Sequence, residues 1–522
     1  MTLMNLLASR ASRMKASEIR ELLKLLDQPD IISFAGGIPD PALFPADAIS
    51  DAYASVLGGP EAGAALQYQV SEGYLPLRKW LAGQMGKLGV ACDEHNIFIT
   101  SGSQQALDYL GKLFLSPGDT ALVTWPTYLG ALQAFNAYEP RYDRLTPDGG
   151  NMTPAAYHAA AAAAGGKVKF AYLVPDFANP TGETLSLKQR EAVLDLAGEL
   201  DIAVIEDAAY RALRYDGEGV PPILALDCQR SGGIDNARTL YCGSFSKILS
   251  PGMRVGWVCA PRRVVERLVL MKQASDLHSP SINQVAMHRA AEAIFDQQVD
   301  KLIGAYRARR DGLLGALEAH MPEGVTWSRP DGGMFVWVTL PEGSDATALL
   351  ARAVKEARVA FVPGQCVPCR RHRPQHAQAE LHARRQPRRG RGHSAAGEAA
   401  GVAGQRHRNL QGRPGVSFAP GSEPKESRDD DDPHRCAAGR CRRRLYGRRG
   451  ARARAAQRAD TARHSHRPDG VKIGRADTRA AAARTRFPRS VAELAGPADG
   501  GRRRHAAAVG DALRRLSVSG KR

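Results

Sequence analysis

Short apolar runs alternate with amphipathic segments of helical length between residues 97 and 261, and this alternation constrains the fold more than any other feature. Residues 97–115 read as a strand, a Ser-Gly turn and a helix, and residues 120–135 repeat the pattern. Further strands are predicted at residue 168 and within 201–213, 237–247 and 255–261. Strands that alternate with helices usually pair in parallel, with helices on both faces. The sequence therefore predicts an α/β domain with a mostly parallel sheet.

The chain changes character near residue 365. Residues 1–365 contain 34 Lys and Arg against 40 Asp and Glu, a net charge of −6, whereas residues 366–522 contain 38 against 14, a net charge of +24. Of those 38 basic residues, 35 are arginine. The first part has the charge balance of an ordinary globular protein. The overall charge of +18 therefore does not predict a specific nucleic-acid partner.

Cysteine usage and hydropathy indicate where such a chain works. No run of about 20 apolar residues is present, so no membrane partner is predicted. The eight cysteines are scattered, which fits a reducing cytoplasm better than a disulfide framework. Those beyond residue 365 are too loosely spaced to predict a zinc site, and we predict no metal. Residues 5–27 carry periodic leucines and are predicted to form one amphipathic helix rather than a targeting peptide.

The segment SFSKILSPGMRVGW, residues 244–257, contains the residue set with the most specific chemistry. It places Lys247 beside the hydroxyls of Ser244 and Ser246, with Arg254 seven residues further on. The amine can form a Schiff base with an aldehyde, and hydroxyls with a guanidinium can hold a phosphate. A lone lysine after a strand is usually a solvated surface residue, but the whole string predicts a cofactor that carries both an aldehyde and a phosphate.

Acidic residues end another predicted strand. Glu206 and Asp207 close the apolar run of residues 201–213, and Tyr210 follows three residues later. In α/β sheets, ligands bind beyond the carboxyl ends of the strands. One of the two acids is therefore a candidate for chemistry.

Glycine-containing turns precede several of these elements. Gly36 and Gly37 lie in an extended, proline-rich arm, where they allow close approach of the backbone to a ligand or simply form a loop. A further turn has the sequence Asn179-Pro-Thr-Gly. At residues 102–104 a Gly-Ser-Gln turn begins a helix, so that its backbone N–H groups favour an anion, unless Ser103 is only an N-cap.

In this order, these motifs resemble those of the fold-type I pyridoxal-phosphate (PLP) aminotransferases of class I/II. The resemblance covers about residues 15–365. The arm string ISFAGGIPDPALFP resembles most the 2-aminoadipate and broad-specificity members. The family resemblance implies the PLP-transferase fold: a large domain with a mostly parallel seven-stranded sheet between helices, and a small α+β domain. It also implies PLP as cofactor, an amino acid and a 2-oxo acid as substrates, and a homodimer.

The resemblance assigns roles residue by residue. Lys247 is implied as the lysine that bonds the cofactor and moves the substrate proton, Asp207 as the partner of the pyridine nitrogen, and Tyr128 as the ring-stacking aromatic. The implied substrate contacts are Gly36, Gly37, Asn179 and, for an acidic side chain, Arg20, although Arg20 also reads as a solvated helix residue. The full set implied to bind the cofactor is Gly102, Ser103, Gln104, Tyr128, Asn179, Asp207, Tyr210, Ser244, Ser246, Lys247 and Arg254, with Tyr68 contributed by the neighbouring subunit.

Four domain segments follow from this interpretation. An N-terminal helix and arm occupies 1–45, the large PLP-binding domain 46–285, a truncated small domain 286–365, and an arginine-rich tail 366–522. Two alternatives to an aminotransferase remain open: a PLP lyase or decarboxylase on the same fold, and a non-catalytic product of a shifted reading frame.

The tail itself is predicted to be disordered, without strand or helix periodicity, and we interpret it as the product of a shifted reading frame. Reading degenerate codons for residues 366 onward from the second base allows A-F-x-A-D-x-T-G-x-N-T-L-R-L-S-F, ending near residue 382. The family has such a segment here, and its arginine binds the substrate carboxylate. The chain as written therefore lacks that arginine, and the small domain is predicted to be incomplete.

Overall fold

The computed structural model describes residues 3–14 and 31–364, together with the backbone of residues 376–380. Arg20 and nearly all of the arginine-rich tail lie outside these residues. At the N-terminus, two short 3-10 turns, Leu3–Leu6 and Ser9–Ser12, replace the beginning of the long helix predicted for 5–27. Neither turn buries a residue, so no apolar face stabilises a longer helix there.

A seven-stranded sheet forms the centre of the large domain, as the resemblance implies. Its order is β2-β8-β7-β6-β5-β3-β4, and only β8 runs antiparallel to its neighbours. The strands are β2 (Ile97–Thr100), β3 (Thr120–Val123), β4 (Arg141–Arg144), β5 (Val168–Leu173), β6 (Ala203–Asp207), β7 (Thr239–Ser244) and β8 (Gly256–Cys259). The edge strand β4 is mostly polar and was not predicted. Strands β6 and β7 are almost entirely buried, which explains why their sequences are nearly continuous apolar runs.

Helices cover both faces of this sheet. Those before β5 are α1 (Ala46–Leu57), α2 (Ala62–Leu66), α3 (Leu75–Lys87), α4 (Ser103–Phe114), α5 (Leu129–Asn136) and α6 (Pro154–Ala163). After β5 follow α7 (Leu187–Glu199), α8 (Ile223–Ser231), α9 (Arg262–Gln273) and α10 (Ser281–His320). Residues 262–320 form two helices rather than one, because α9 ends at Gln273 and Pro280 precedes α10. No helix of the described residues is long and apolar enough to cross a membrane.

A second sheet, of five strands, forms the small domain. Its order is β1-β11-β12-β10-β9, with β1 (Ile32–Phe34), β9 (Thr326–Trp327), β10 (Phe335–Thr339), β11 (Val359–Gly364) and β12 (His376–Glu380). Helix α11 (Ala346–Arg352), continued by a π-helical turn, packs beside β11. Strand β1 places the arm in this sheet through parallel pairing with β11.

Strand β12 corrects the expectation that no strand lies beyond residue 365. It pairs antiparallel with both β10 and β11 and so occupies an interior position of the sheet. Backbone pairing explains the difference, because an interior gap would leave the N–H and C=O groups of two strands without partners. This pairing does not require an alternation of polar and apolar residues along the strand.

Candidate active site

Asp207 lies at the carboxyl end of the buried strand β6 and is itself almost fully buried. Its Oδ2 accepts a hydrogen bond of 2.9 Å from the hydroxyl of Tyr172. Its Oδ1 is buried and has no hydrogen-bond partner among the described residues. Burial raises the pKa of Asp207 to about 6, against the opposing effects of the Tyr172 hydrogen bond, the backbone N–H of Ala209 and the positive charge of Lys247. A buried acceptor of this kind is suited to a charged N–H donor.

The neighbouring acid, Glu206, has a different environment. It is fully buried, and its two carboxylate oxygens accept hydrogen bonds of 3.0 and 2.9 Å from the backbone N–H groups of Ile223 and Leu224. These residues begin helix α8, whose first N–H groups have no partner within the helix. Glu206 is therefore occupied in stabilising a helix start, and Asp207 is the acid of this pair that remains open to a ligand.

Lys247 lies just after the end of strand β7, and β7 is adjacent to β6 in the sheet. Its Nζ donates a hydrogen bond of 2.8 Å to the carbonyl oxygen of Gly37 and lies 5.8 Å from the ring centroid of Tyr210. The arm therefore reaches the lysine. Gly37 has a φ of +59° and its backbone packs on the ring of Phe335, so that a Cβ atom there would lie 2.8 Å from Cζ.

Tyr210 and Asn179 come together on the same side of the site as Lys247. The Asn179 Nδ2 donates to the Tyr210 hydroxyl at 3.4 Å. The Tyr210 ring packs edge-to-face against Phe335 of β10, with centroids 5.4 Å apart. Phe335 thus connects the small domain with the arm and with Tyr210. Neither the Phe335 contact nor the Tyr172 hydrogen bond was predicted, because both depend on sheet register and domain packing.

The N-terminus of helix α4 lies beside Arg254. Gly102 precedes the helix with a φ of +85°, and the guanidinium of Arg254 packs directly on it. Arg254 donates hydrogen bonds to the carbonyl oxygens of Ser101 and Pro251, both at 3.1 Å. Gly102 is the N-cap residue of this helix, so Ser103 is the first helical residue and not the N-cap. The side chain of Gln104 is engaged elsewhere, donating at 2.6 Å to the carbonyl oxygen of Gly130.

The two predicted serines are close to each other. The Ser244 hydroxyl donates to the Ser246 hydroxyl at 2.9 Å and accepts from the Ser246 N–H at 3.1 Å. Tyr128 precedes helix α5 as its N-cap residue. Burial, and after it the negative charge of Asp207, raise the pKa of Tyr128 to about 12, while Arg254 opposes the shift. The charges of Asp207, the predicted ring partner, and of Arg254, the predicted phosphate partner, therefore both act on Tyr128.

Tyr68 stands apart from these residues. Its side chain is 78% exposed and makes an edge-to-face contact only with His278 among the described rings, at 5.7 Å. The single chain therefore does not bring Tyr68 into its own site.

The residues that do come together fit PLP. Asp207 Oδ1 is a buried acceptor that matches a protonated ring nitrogen. The start of α4 with Arg254 is a donor-rich position that matches a phosphate. The amine of Lys247 matches an aldehyde.

A family model described as "Aminotransferase class I and II" matches residues 45–381. The chain belongs to this family. It is an aminotransferase of PLP-transferase fold type I, and its cofactor is PLP. The match extends beyond β11 and includes β12.

Two curated relatives are similar to this aminotransferase over most of their length. It is 43% identical over 363 residues to aromatic-amino-acid aminotransferase 1 of Thermococcus litoralis, covering 69% of this chain and 85% of the relative. It is 42% identical over 354 residues to 2-aminoadipate transaminase of Thermus thermophilus, covering 68% and 86%.

Solved structures of aminotransferases share the fold. The α-aminoadipate aminotransferase of Thermus thermophilus, complexed with N-(5′-phosphopyridoxyl)-L-leucine, superposes with a TM-score of 0.64 at 36% identity, covering 73% of this chain and 93% of that one. The kynurenine aminotransferase of Pyrococcus horikoshii, solved with pyridoxamine phosphate, superposes with a TM-score of 0.66 at 41% identity and the same coverage.

Proposed function

We propose that this aminotransferase transfers an amino group from an L-amino acid to a 2-oxo acid, 2-oxoglutarate in the first instance, in two half-reactions. The observation that carries the assignment of the site is the buried Oδ1 of Asp207 at the end of β6, which has no hydrogen-bond partner within the described part of the chain. A buried polar atom without a partner costs roughly 1–3 kcal/mol. A ligand that donates a hydrogen bond there removes this cost, and the protonated nitrogen of PLP is such a donor.

When bound, PLP supplies an aldehyde that reacts with amino groups and a ring that withdraws electrons from the substrate α-carbon. The ionised Asp207 keeps the ring nitrogen protonated, and Tyr172 holds the carboxylate in place. In one half-reaction Lys247 Nζ takes the proton from the substrate α-carbon, and in the other it returns a proton to the α-carbon of the product. Its contact with Gly37 holds the amine at the inner edge of the arm.

The remaining residues bind and orient the cofactor and the substrate. The backbone N–H groups of Gly102, Ser103 and Gln104 bind the phosphate, with the hydroxyls of Ser244 and Ser246. Arg254 contributes its charge, and Tyr128 stacks on the ring. Asn179 and Tyr210 bind the ring oxygen. The hydrogen bond between their side chains supports this assignment, because it places the two polar groups next to each other. Gly36, Gly37 and Asn179 contact the substrate carboxylate, and Arg20 is the proposed contact for an acidic side chain.

We further propose a cytoplasmic homodimer in which Tyr68 reaches the cofactor phosphate of the partner chain. The exposure of its side chain supports this assignment, since an aromatic ring that is 78% exposed leaves apolar area to be covered. Sedimentation of the PLP-loaded protein at micromolar concentration tests it, and a monomer under those conditions would contradict it.

A donor panel with 2-oxoglutarate tests the proposed reaction. The names of the two relatives make L-2-aminoadipate and aromatic L-amino acids the first donors to assay. We expect glutamate to form in proportion to donor consumed, and no turnover when the 2-oxo acid is omitted. Release of ammonia or carbon dioxide without a 2-oxo acid would instead identify a lyase or decarboxylase.

A further inference from the structure

A cavity of about 310 Å³ adjoins the candidate active site, and Ser244 is the one lining residue that is also proposed to bind the cofactor. It lies between α3, α10 and the segment that follows β6, and its described lining contains neither Asp207 nor Lys247. It nevertheless touches both chain segments that carry these residues. Ala208, the residue after Asp207, lines it, and so does Ile248, the residue after Lys247. Its volume is at the lower end of the range of about 300–1,000 Å³ typical of small-molecule sites.

One part of the cavity lining is aromatic. Trp80 of α3 packs edge-to-face on Phe295 of α10, with centroids 5.3 Å apart, and both line the cavity together with Trp257. Phe245 connects this group, lying 5.9 Å from Trp80 and 5.0 Å from Trp257. An aromatic wall of this kind favours a flat apolar ring, through both area burial and edge-to-face contact.

The other part of the lining is cationic. Asp176 accepts from Arg190 at 2.7 Å and from Arg211 at 2.8 Å. The third arginine, Arg214, brings its Nη2 only to 3.7 Å from Asp176, and this nitrogen is buried without a hydrogen-bond partner among the described residues. Even with the charge of Glu206, which also acts on Arg211, three guanidinium groups face two carboxylates. A net positive charge therefore remains at this end of the cavity.

Lys87 adds to this charge at the end of α3. It lines the cavity, is exposed, and forms no ion pair within the described residues. An aromatic surface beside a net positive charge is complementary to a small molecule that has a ring at one end and a carboxylate at the other.

We propose that this cavity is a second binding site, for a small aromatic carboxylate, which binds there without competing with the amino donor. Ser244 and Ile248 both line the cavity and flank Lys247 in the chain. A ligand that contacts them selects one position of the lysine-bearing segment, and it acts on turnover only as far as it prefers that position.

Calorimetric titration of the PLP-loaded protein with indole-3-acetate tests the site, because it requires no turnover and so is independent of the proposed reaction. We expect binding that persists in the presence of saturating amino donor. Ala212→Leu, which fills the cavity from its lining, should weaken this binding at least tenfold. Lys87→Gln should weaken it several-fold, whereas Lys79→Gln, on the same helix but outside the lining, should leave it unchanged.

Two results would overturn the proposal. One is binding of indole-3-acetate that the amino donor displaces completely, which would place the molecule in the active site alone. The other is unchanged donor-resistant binding in folded Ala212→Leu. Because Lys87 is exposed, its substitution leaves the fold intact and remains informative even where the cavity-filling variant does not fold.

Discussion

The guanidinium of Arg254 lies directly on the Cα of Gly102, so that a Cβ atom at position 102 would be 2.8 Å from the arginine Cζ. The contact joins the start of α4 to the loop before β8. Both residues have backbone conformations in the left-handed region, with φ of +85° at Gly102 and +55° at Arg254. The absence of a side chain at one position therefore allows the guanidinium of the other to lie at the proposed phosphate site.

Gly102→Ala is expected to displace Arg254 and to weaken PLP binding by tenfold or more. The new methyl group collides with the guanidinium, and the positive φ adds about 1 kcal/mol of backbone strain. Equilibrium titration of the apoprotein with PLP measures the effect. Gly150→Ala is the matched control, because Gly150 has a φ of +83° but no atom within 4 Å of the added Cβ. Equal PLP affinity in both variants would show that steric contact with Arg254 is not important.

Asp207→Asn is expected to stabilise the apoprotein at high pH. Burial raises the pKa of Asp207 to about 6, above its ordinary value of 3.8. The folded state therefore binds the proton more tightly than the unfolded state, and stability is lost as the pH rises through this interval. The loss amounts to roughly 3 kcal/mol at pH 8. Asparagine does not ionise, so urea unfolding should show a gain for the variant at pH 8 that shrinks at pH 5.

Bound PLP is expected to reverse the order of stability of the wild type and Asp207→Asn. With the ring nitrogen as its partner, the ionised carboxylate is compensated, and asparagine is not an equivalent partner. PLP should therefore stabilise the wild type more than Asp207→Asn, and the variant should abstract the substrate proton more slowly in single-turnover measurements. Unchanged single-turnover kinetics would mean that Asp207 is not the ring partner.

Tyr172→Phe is expected to shift the pH dependence rather than to abolish activity. The hydroxyl of Tyr172 donates to Asp207 Oδ2, and this bond lowers the carboxyl pKa. Without it the pKa of Asp207 rises, so the acidic limb of the kcat/KM profile should move to higher pH. Tyr138→Phe removes a similar bond to Asp108, on another part of the chain, and should leave the profile in place. Identical profiles for all three proteins would contradict the positioning role of Tyr172.

Lys247→Ala is expected to abolish turnover, with a loss at the upper end of the range of roughly 10²–10⁴ or beyond, because the same amine bonds the cofactor and moves the proton. Borohydride reduction of the wild type should fix PLP on the peptide that contains Lys247, as read by mass spectrometry. Lys112→Ala, an exposed position on α4, should retain both properties. Turnover of the alanine variant above about a thousandth of the wild type would refute the assignment.

Shifting the reading frame by one base at codon 366, and ending the chain soon after the helix that follows, is expected to improve amino-acid binding much more than PLP binding. The shifted reading supplies N-T-L-R-L-S-F over the positions where β12 pairs with β10 and β11. Its arginine would give the substrate carboxylate a charge-assisted, bidentate partner. A lower KM with little change in PLP affinity is the predicted pattern. Equal transaminase activity of the unrepaired chain would contradict it.

Local sequence determined much of this protein. The alternation of apolar runs and helices between residues 97 and 261 predicts the parallel sheet, because burial on both faces requires such runs. The position of Asp207 at the end of a buried strand, and of Lys247 at the end of the next, follows from the same pattern. The turns at Gly36, Gly37 and residues 179–182 were also predictable from the sequence, since these residue types favour turns on local grounds.

Tertiary structure alone decided which polar groups have partners. Residue chemistry alone does not distinguish Glu206 from Asp207. The first N–H groups of α8 bind both carboxylate oxygens of Glu206, whereas Tyr172 binds one oxygen of Asp207 and the other has no partner among the described residues. Phe335 of the small domain contacts Tyr210 of the large domain and Gly37 of the arm. Strand β12 exists through backbone pairing with two strands that already form. Such contacts join residues far apart in the chain, and their geometry depends on register and domain packing, which local residue patterns do not encode.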